Sequence, residues 1–182
     1  AALLERIAPA LVVGDLDRVE RLSPDGGHHV YGRADFVAAA CATHEPDFEE
    51  ADDEGIAIQL FTSGTTAAPK AAILKHSNLL SYILGTVEFA SASPDDAALV
   101  SVPPYHIAGI SALLSSIYAG RRIVLLPNFA PESWLDLASS QRVTNAFVVP
   151  TMLSRIIEAM DKGAAAELST LRAVAYGGGK MP

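Results

Sequence analysis

Short apolar runs alternate along the chain with segments in which apolar residues recur every three or four positions. The runs are brief, rich in branched side chains and bounded by turn residues, which is typical of buried strands. They read GIAIQLF from Gly55, ALVSV from Ala98, RIVLL from Arg122, AFVV from Ala146 and RAVAY from Arg172.

The segments between these runs keep one apolar face at helical spacing. The first follows Ser77 and Asn78, which are potential N-terminal caps, and the last ends before Gly163, a typical stop. The three faces comprise Leu79, Leu80, Ile83, Leu84 and Val87; Ile107, Ile110, Leu113, Leu114 and Ile117; and Leu153, Ile156, Ile157 and Met160.

This alternation predicts an α/β fold with a mostly parallel sheet flanked by helices on both faces. The length suits one compact domain, so we expect residues 1–182 to form a single α/β domain fragment. Within it, residues 1–50 are the less regular upstream part and residues 52–182 carry the regular pattern. The acidic run Asp47–Glu54 is most simply a solvated connection between them.

Unusual segments follow four of the predicted strands. They are TSGTTAAPK after Phe61, PPYH after Val102, PT after Val149 and GGGK after Tyr176. Ligands of open α/β sheets bind outside the carboxyl ends of the strands. We therefore expect positions near Ser63, His106, Thr151 and Gly178 to lie along one edge of the sheet.

The first of these segments is rich in hydrogen-bond donors. Its hydroxyls and amides can donate, Gly64 lets the backbone turn tightly, and Lys70 supplies a mobile positive charge. An anion with many oxygens, such as a pyrophosphate or triphosphate, fits this set of groups. The alternative is a hydroxyl-rich surface turn with a solvated lysine. The hydroxyl residues are Thr62, Ser63, Thr65 and Thr66, and we expect residues 62–68 to be poorly ordered without phosphate.

The loop is not a Walker loop. That pattern requires glycine before its lysine and serine or threonine after it, whereas Lys70 lies between Pro69 and Ala71. No apolar strand ends in an aspartate of the kind that holds magnesium in those ATPases. A phosphate-switch ATPase is therefore disfavoured.

Three motifs in order resemble those of the adenylate-forming superfamily of acyl-CoA synthetases and AMP-dependent ligases. FTSGTTAAPKAAILKHSNL resembles the phosphate-loop signature Y/F-T-S-G-T-T-G-x-P-K-G and the T-H-x-N-L-like segment after it. PPYHIAG is similar to P-x-F/Y-H-x-x-G, and AYGGGKMP is similar to S-G-G-A-P-L. The resemblance covers roughly Asp52 to Pro182 and implies part of the large N-terminal domain, most like that of a fatty-acid–CoA ligase.

The resemblance implies roles for ten residues. His106 would stand near the entrance to the carboxylate-substrate pocket, although it could instead be a capping or core histidine. Three glycines would form backbone walls near the adenosine and the acyl group, or simply a flexible turn. The phosphate-binding residues would be Thr62, Ser63, Gly64, Thr65, Thr66 and Lys70, and the glycines are Gly177, Gly178 and Gly179.

The implied reaction joins a carboxylic acid to a thiol, with ATP, Mg²⁺ and coenzyme A as cofactors. Amino-acid-activating members place an aspartate where this chain reads Tyr105–His106, so a simple carboxylic acid is preferred. The aliphatic surroundings favour a fatty acid, and Ile107, Ala108, Ile110, Val149 and Met152 are candidates to line its pocket. An aryl acid, a carrier-protein acceptor and a non-catalytic nucleotide- or phosphate-binding α/β module remain as alternatives.

The chain also departs from the family pattern. Ala67 and Ala71 replace two glycines, and no Y-G-x-T-E adenine motif, ribose-binding aspartate or C-terminal lysine is present. We therefore expect a ligase fragment that contains no catalytic residue of its own and is inactive alone. Apolar surfaces left uncovered would favour self-association.

Charge and composition limit the classes of molecule that we expect the chain to bind. Twenty-one acidic residues against thirteen basic ones give a net charge of −8, and no basic stripe suits a nucleic acid. No apolar run is long enough to span a membrane and no secretory signal is visible, so we expect a cytoplasmic protein. We predict no metal site in the chain itself, and we interpret the lone Cys41 as a buried thiol.

Overall fold

The computed structural model describes residues 4, 7–15, 29–42, 50, 52–62 and 70–179. The chain divides into two compact units, Ala1–Glu50 and Ala51–Pro182.

The first unit contains a pair of short parallel strands followed by a helix. Strand β1 (Leu11–Gly14) pairs with β2 (His29–Gly32), and helix α1 (Arg33–Ala40) begins directly after β2. Cys41 follows α1 and is exposed, so the interpretation as a buried thiol is wrong. The physical reason is that α1 buries none of its residues, so its end is not carried into a core.

The second unit is built around a four-stranded parallel sheet, which confirms the predicted fold class. The strand order is β6-β5-β7-β8, and every neighbouring pair is parallel. Four of the predicted apolar runs supply these strands. They are β5 (Ala97–Val100), β6 (Arg122–Leu125), β7 (Asn145–Val148) and β8 (Ala173–Tyr176).

Helices cover both faces of this sheet. Helix α3 (Ile107–Ala119) packs against β5 and β6, and helices α4 (Pro131–Ser140) and α5 (Pro150–Asp161) pack against each other. The buried core joins the sheet to α4 and α5 and contains large side chains that exclude water. Its members include Leu99, Trp134, Leu135, Val143, Val148 and Ile156.

The packed face of α3 differs from the predicted apolar stripe. Its buried residues are Gly109, Ser116 and Ala119, whereas Ile107 and Ile117 are exposed. The buried positions of α3 are therefore small residues instead of a stripe of large apolar side chains. Periodicity alone identifies the helix but not which side is buried.

Helix α2 (His76–Thr86) also buries less of its predicted apolar face than expected. Only Ile83 of its predicted face is buried, and Leu80 and Leu84 are exposed. The helix begins at His76, before the predicted caps. Asn78 lies in the first turn, where its Oδ1 accepts a hydrogen bond from the amide of Lys75 at 3.0 Å.

The strand that precedes the hydroxyl-rich loop is not part of the parallel sheet, contrary to the expectation. Strand β3 (Ile56–Thr62) pairs antiparallel with β4 (Lys70–Lys75) in a separate two-stranded sheet. Strand β4 was not predicted, because its residues follow the loop directly and precede a helix. The loop is therefore a hairpin connection and not a strand-to-helix connection.

Candidate active site

The β3–β4 hairpin fixes the two ends of the hydroxyl-rich loop. Thr62 and Lys70 are register partners, the last pair of the antiparallel ladder. Lys70 is exposed there. The predicted phosphate-binding residues between these ends lie outside the described residues, as does most of the segment whose order we predicted. They are Ser63, Gly64, Thr65 and Thr66.

Contacts at the other end of the hairpin hold its register. The amide of His76 donates to the carbonyl oxygen of Gly55 at 3.1 Å, and the amide of Ser77 donates to that of Asp53 at 2.9 Å. Lys75 Nζ lies 2.6 Å from Glu54 Oε2. These contacts connect the start of α2 to the residues before β3. They thereby stabilise the register in which Thr62 pairs with Lys70.

The P-P-Y-H segment connects the carboxyl end of β5 to helix α3. His106 is the N-cap residue of α3, and its amide donates to the carbonyl oxygen of Pro103 at 3.0 Å. The His106 carbonyl oxygen accepts from the amide of Ile110 at 3.1 Å, while the imidazole makes no capping hydrogen bond. The His106 side chain is exposed, so the alternative of a core histidine is wrong. His106 occupies the N-cap position through its backbone groups alone.

Gly109 positions this segment, and the sequence analysis assigned it no role. A β-carbon at this position would lie 2.3 Å from the carbonyl oxygen of Pro103 and 2.8 Å from that of Val102. Both neighbours are backbone atoms, which cannot move away as the tip of a side chain can. The glycine of H-x-x-G therefore allows the first turn of α3 to approach the end of β5.

The glycine segment follows β8 and lies over the carboxyl end of β7. A β-carbon at Gly177 would lie 3.2 Å from Phe147 Cζ, and one at Gly178 would lie 3.6 Å from Val149 Cγ1. Gly178 has φ of +83°, a conformation that favours glycine. The segment is thus a tight turn packed against the neighbouring strand.

Three of the four predicted edge positions lie on one side of the parallel sheet. His106, Thr151 and Gly178 follow the carboxyl ends of β5, β7 and β8, which are neighbours in the sheet. Ser63, the fourth position, lies outside the described residues. The hairpin is nevertheless adjacent, since residues 58–61 of β3 line a cavity of about 510 Å³ together with Pro104, Tyr105 and Ile110.

A second cavity, which we call the α3 cavity, lies between α3 and one face of the parallel sheet. Its volume is about 370 Å³, within the range of roughly 300–1,000 Å³ typical of small-molecule sites. Of the candidate acyl-pocket residues, Ile107 and Ala108 line it together with Gly178, whereas Ile110 lines the hairpin cavity. The cavity joins the start of α3 to the glycine turn.

The described residues hold no group of three or more histidine, cysteine, aspartate or glutamate side chains placed to bind a metal ion. None of the described helices is long and apolar enough to cross a bilayer.

The amino-acid sequence of the chain matches a known enzyme family. A model of the AMP-binding enzyme family matches residues 4–182. The chain belongs to this family. The superfamily resemblance seen in the three motifs is thereby confirmed.

The chain is similar in sequence to enzymes that act on different acids, including the following two. It is 31% identical over 169 residues to a feruloyl-CoA synthase from Amycolatopsis sp., a match that covers 85% of this chain and 34% of that protein. It is 32% identical over 123 residues to a 2-succinylbenzoate–CoA ligase from Bacillus cytotoxicus, covering 68% of this chain and 25% of that protein. The chain thus spans between a quarter and about a third of these relatives.

Solved structures of AMP-binding enzymes share the fold. ATP-bound MatB from Rhodopseudomonas palustris has a TM-score of 0.79 at 28% identity, covering 97% of this chain and 37% of that one. The o-succinylbenzoate CoA synthetase from Bacillus subtilis, solved with the acyl-adenylate intermediate OSB-AMP, has a TM-score of 0.78 at 22% identity. That match covers 100% of this chain and 36% of the synthetase.

Replacing Gly109 by alanine should destabilise the unit Ala51–Pro182. The new β-carbon would overlap the backbone of Pro103, so we expect a loss of about 1–3 kcal/mol in the free energy of unfolding. Urea unfolding followed by tryptophan fluorescence measures this directly, because Trp134 is the single tryptophan and lies in the core of this unit.

Gly85→Ala is the matched control. Gly85 lies in α2 and a β-carbon there would meet nothing within 4 Å, so alanine should cost no stability and add up to about 1 kcal/mol. Equal stability of the two variants would contradict the close approach at Gly109.

Proposed function

We propose that this chain is the phosphate-loop and acyl-pocket part of an acid–thiol ligase. The observation that carries the proposal is the hairpin that closes the hydroxyl-rich loop between Thr62 and Lys70 beside the P-P-Y-H segment. In an AMP-binding enzyme, a strand that leads into this loop and also lines an apolar cavity supports phosphate binding beside an acid pocket. The combination suits ATP together with a carboxylic acid.

The proposed reaction has two steps. A carboxylate oxygen attacks the α-phosphorus of ATP, the bond to the bridging oxygen breaks, and pyrophosphate leaves. The thiolate of coenzyme A then attacks the acyl carbon, and AMP leaves with the electrons of the carbon–oxygen bond. The first step converts a poor leaving group into a good one.

The residues of this chain would serve the first step by binding and orientation. Lys70 and the loop hydroxyls would hold the β- and γ-phosphates, with charge-assisted hydrogen bonds from the ammonium group. His106 would stand at the entrance to the acid pocket, and the backbone of Gly177, Gly178 and Gly179 would border the adenosine and the acyl group. Once bound phosphate has ordered the loop, donors held in place lower the barrier of the chemical step because they need no further reorganisation.

Mg²⁺ would enter with the nucleotide. It binds proteins mostly through one or two carboxylates and the phosphates of its substrate, while keeping several waters. When bound, Mg²⁺ supplies neutralisation of phosphate charge.

For the acid, we propose an alkyl carboxylic acid of the fatty class. The α3 cavity supports this choice, because apolar side chains and alanines make up most of its lining. An aryl acid is the second candidate, since the acids named in the feruloyl-CoA synthase and the 2-succinylbenzoate–CoA ligase are aromatic. The acceptor, coenzyme A or a carrier-protein thiol, and a cytoplasmic location stay predictions.

A non-catalytic nucleotide-binding module is the alternative from a different class. It would use the hairpin loop but would have no need of a cavity that joins the glycine turn to the start of α3. Acid-dependent exchange of pyrophosphate into ATP separates the two, because only the ligase forms an acyl-adenylate reversibly.

In the complete ligase, Lys70→Met should lower kcat/KM for ATP by about 10- to 100-fold. This range corresponds to the loss of one hydrogen bond from a charged donor, about 1.5–3 kcal/mol. Acid-dependent pyrophosphate exchange at varied ATP concentration measures it. Lys75→Met, at the other end of β4, removes an exposed ion pair with Glu54. The backbone hydrogen bonds of His76 and Ser77 keep the hairpin register, so the rate should change less than about fivefold. Equal losses in both variants would refute the assignment of Lys70.

We also propose that the 182 residues alone do not complete the reaction. They span about a third of the feruloyl-CoA synthase, and binding groups that hold ground and transition states equally well do not accelerate chemistry. The same exchange assay on the isolated chain should give no signal at enzyme concentrations where the complete ligase is active. Turnover by the isolated chain would overturn this proposal.

A further inference from the structure

The α3 cavity contains a charged group at the end opposite the candidate active site. Its lining is mainly alanine and other small or apolar side chains, and Arg121 is the charged residue among the described residues that line it. Arg121 is half-buried, and its Nε is buried without a hydrogen-bond partner among the described residues. A buried donor without a partner is costly, so it points to an acceptor that the cavity would receive.

The cavity runs the length of the sheet. Gly178 and Ile107 line it at the carboxyl edge, whereas Ala173 and Arg121 line it where β8 and β6 begin. An extended chain advances roughly 3.3 Å per residue, so the run from Ala173 to Gly178 spans on the order of 15 Å. An acid activated at the glycine turn could therefore place its far end near Arg121.

Arg121 is also placed to stabilise the end of helix α3, which would be a structural role. Arg121 follows the end of α3, where its amide donates to the carbonyl oxygen of Ser116 at 2.8 Å. A cation at this position complements the negative end of the helix dipole. Lysine would serve that purpose equally well, whereas the planar guanidinium matches a carboxylate through two parallel hydrogen bonds.

We propose that Arg121 determines specificity by binding a second carboxylate at the far end of the acid, so that the preferred substrate is an α,ω-dicarboxylic acid. This inference rests on the proposed function and narrows its substrate class. The activated carboxylate lies at the glycine turn, the alkyl chain fills the cavity, and the second carboxylate pairs with the guanidinium.

Arg122 is a matched control in the adjacent position. Its guanidinium donates to Gln141 Oε1 at 3.0 Å and also to the Gln141 carbonyl oxygen, beyond the end of α4. Arg122 is exposed and is not among the residues that line the α3 cavity. Arg122→Met therefore removes the same charge from the same strand end without changing the cavity.

The test compares octanedioate, decanedioate and dodecanedioate with the monocarboxylic acids of equal chain length. Acid-dependent pyrophosphate exchange by the complete ligase gives kcat/KM for each acid. We expect a preference of about tenfold or more for at least one dicarboxylate. Arg121→Met should abolish this preference, whereas Arg122→Met should keep it.

Arg121→Lys tests the structural alternative. It retains the charge at the end of α3, so its urea midpoint should equal that of the wild type, yet the dicarboxylate preference should fall by about tenfold or more. Full preference in Arg121→Met, or an equal loss in Arg122→Met, would overturn the proposal. A wild type that favours monocarboxylates at every length would overturn it as well.

Direct binding separates this inference from the proposed function. Calorimetric titration of decanedioate into the 182-residue chain needs neither ATP nor turnover, and binding lost in Arg121→Met but kept in Arg122→Met supports the carboxylate site. If no acid supports exchange, the proposed function fails, and the titration alone decides whether Arg121 binds a carboxylate. Absence of binding together with absence of a dicarboxylate preference in exchange would refute the inference while leaving monocarboxylate activation intact.

Discussion

The approach of helix α3 to the end of strand β5 is the contact on which the candidate site depends. Gly109 permits it, because any side chain there would overlap the backbone of Val102 and Pro103. The contact fixes where α3 begins, and with it His106 at the cap. It also sets the position of Pro104 and Tyr105, which border the β3 strand that leads into the hydroxyl-rich loop.

The two faces of the parallel sheet have different physical roles. On the face covered by α4 and α5, large side chains such as Leu99, Trp134 and Leu135 fill the interior. On the α3 face, the sheet presents Ala98, Ala173 and Ala175 alongside Phe147, and a cavity remains. Close packing gives stability, whereas small side chains leave space for a ligand. Alternation of side chains along each strand lets one sheet have both roles.

Much of the fold follows from the sequence because its signals are local. Branched apolar runs predict β5 to β8, and the helices predicted between β5 and β6 and between β7 and β8 favour parallel pairing. Gly163 ends α5 as predicted, with φ of +100° and its amide donating to the carbonyl oxygen of Met160 at 2.9 Å. The edge positions of His106, Thr151 and Gly178 follow from this topology alone.

The remaining features of the fold and the site depend on contacts between distant residues, which no local pattern encodes. The β3–β4 hairpin forms only when two segments pair across the loop between them. The β4 segment KAAILK could equally begin the helix that follows it, so its sequence alone does not identify a strand. Helix α4 was not predicted either, although it has Pro131 in its first turn and buried residues at helical spacing, Trp134, Leu135 and Ala138. Arg121 has no local signal at all, because its place in the cavity is set by how α3 crosses the sheet.

The proposed function requires ATP to bind along one edge of the second unit, beside the ends of the β3–β4 hairpin, the start of α3 and the glycine turn. The most direct measurement is a titration of MgATP into the ¹⁵N-labelled 182-residue chain, followed by amide chemical shifts. We expect the largest changes in amide chemical shift within residues 62–70, 106–109 and 177–179. Changes confined to α4 and α5, or no change at millimolar ATP, would contradict it.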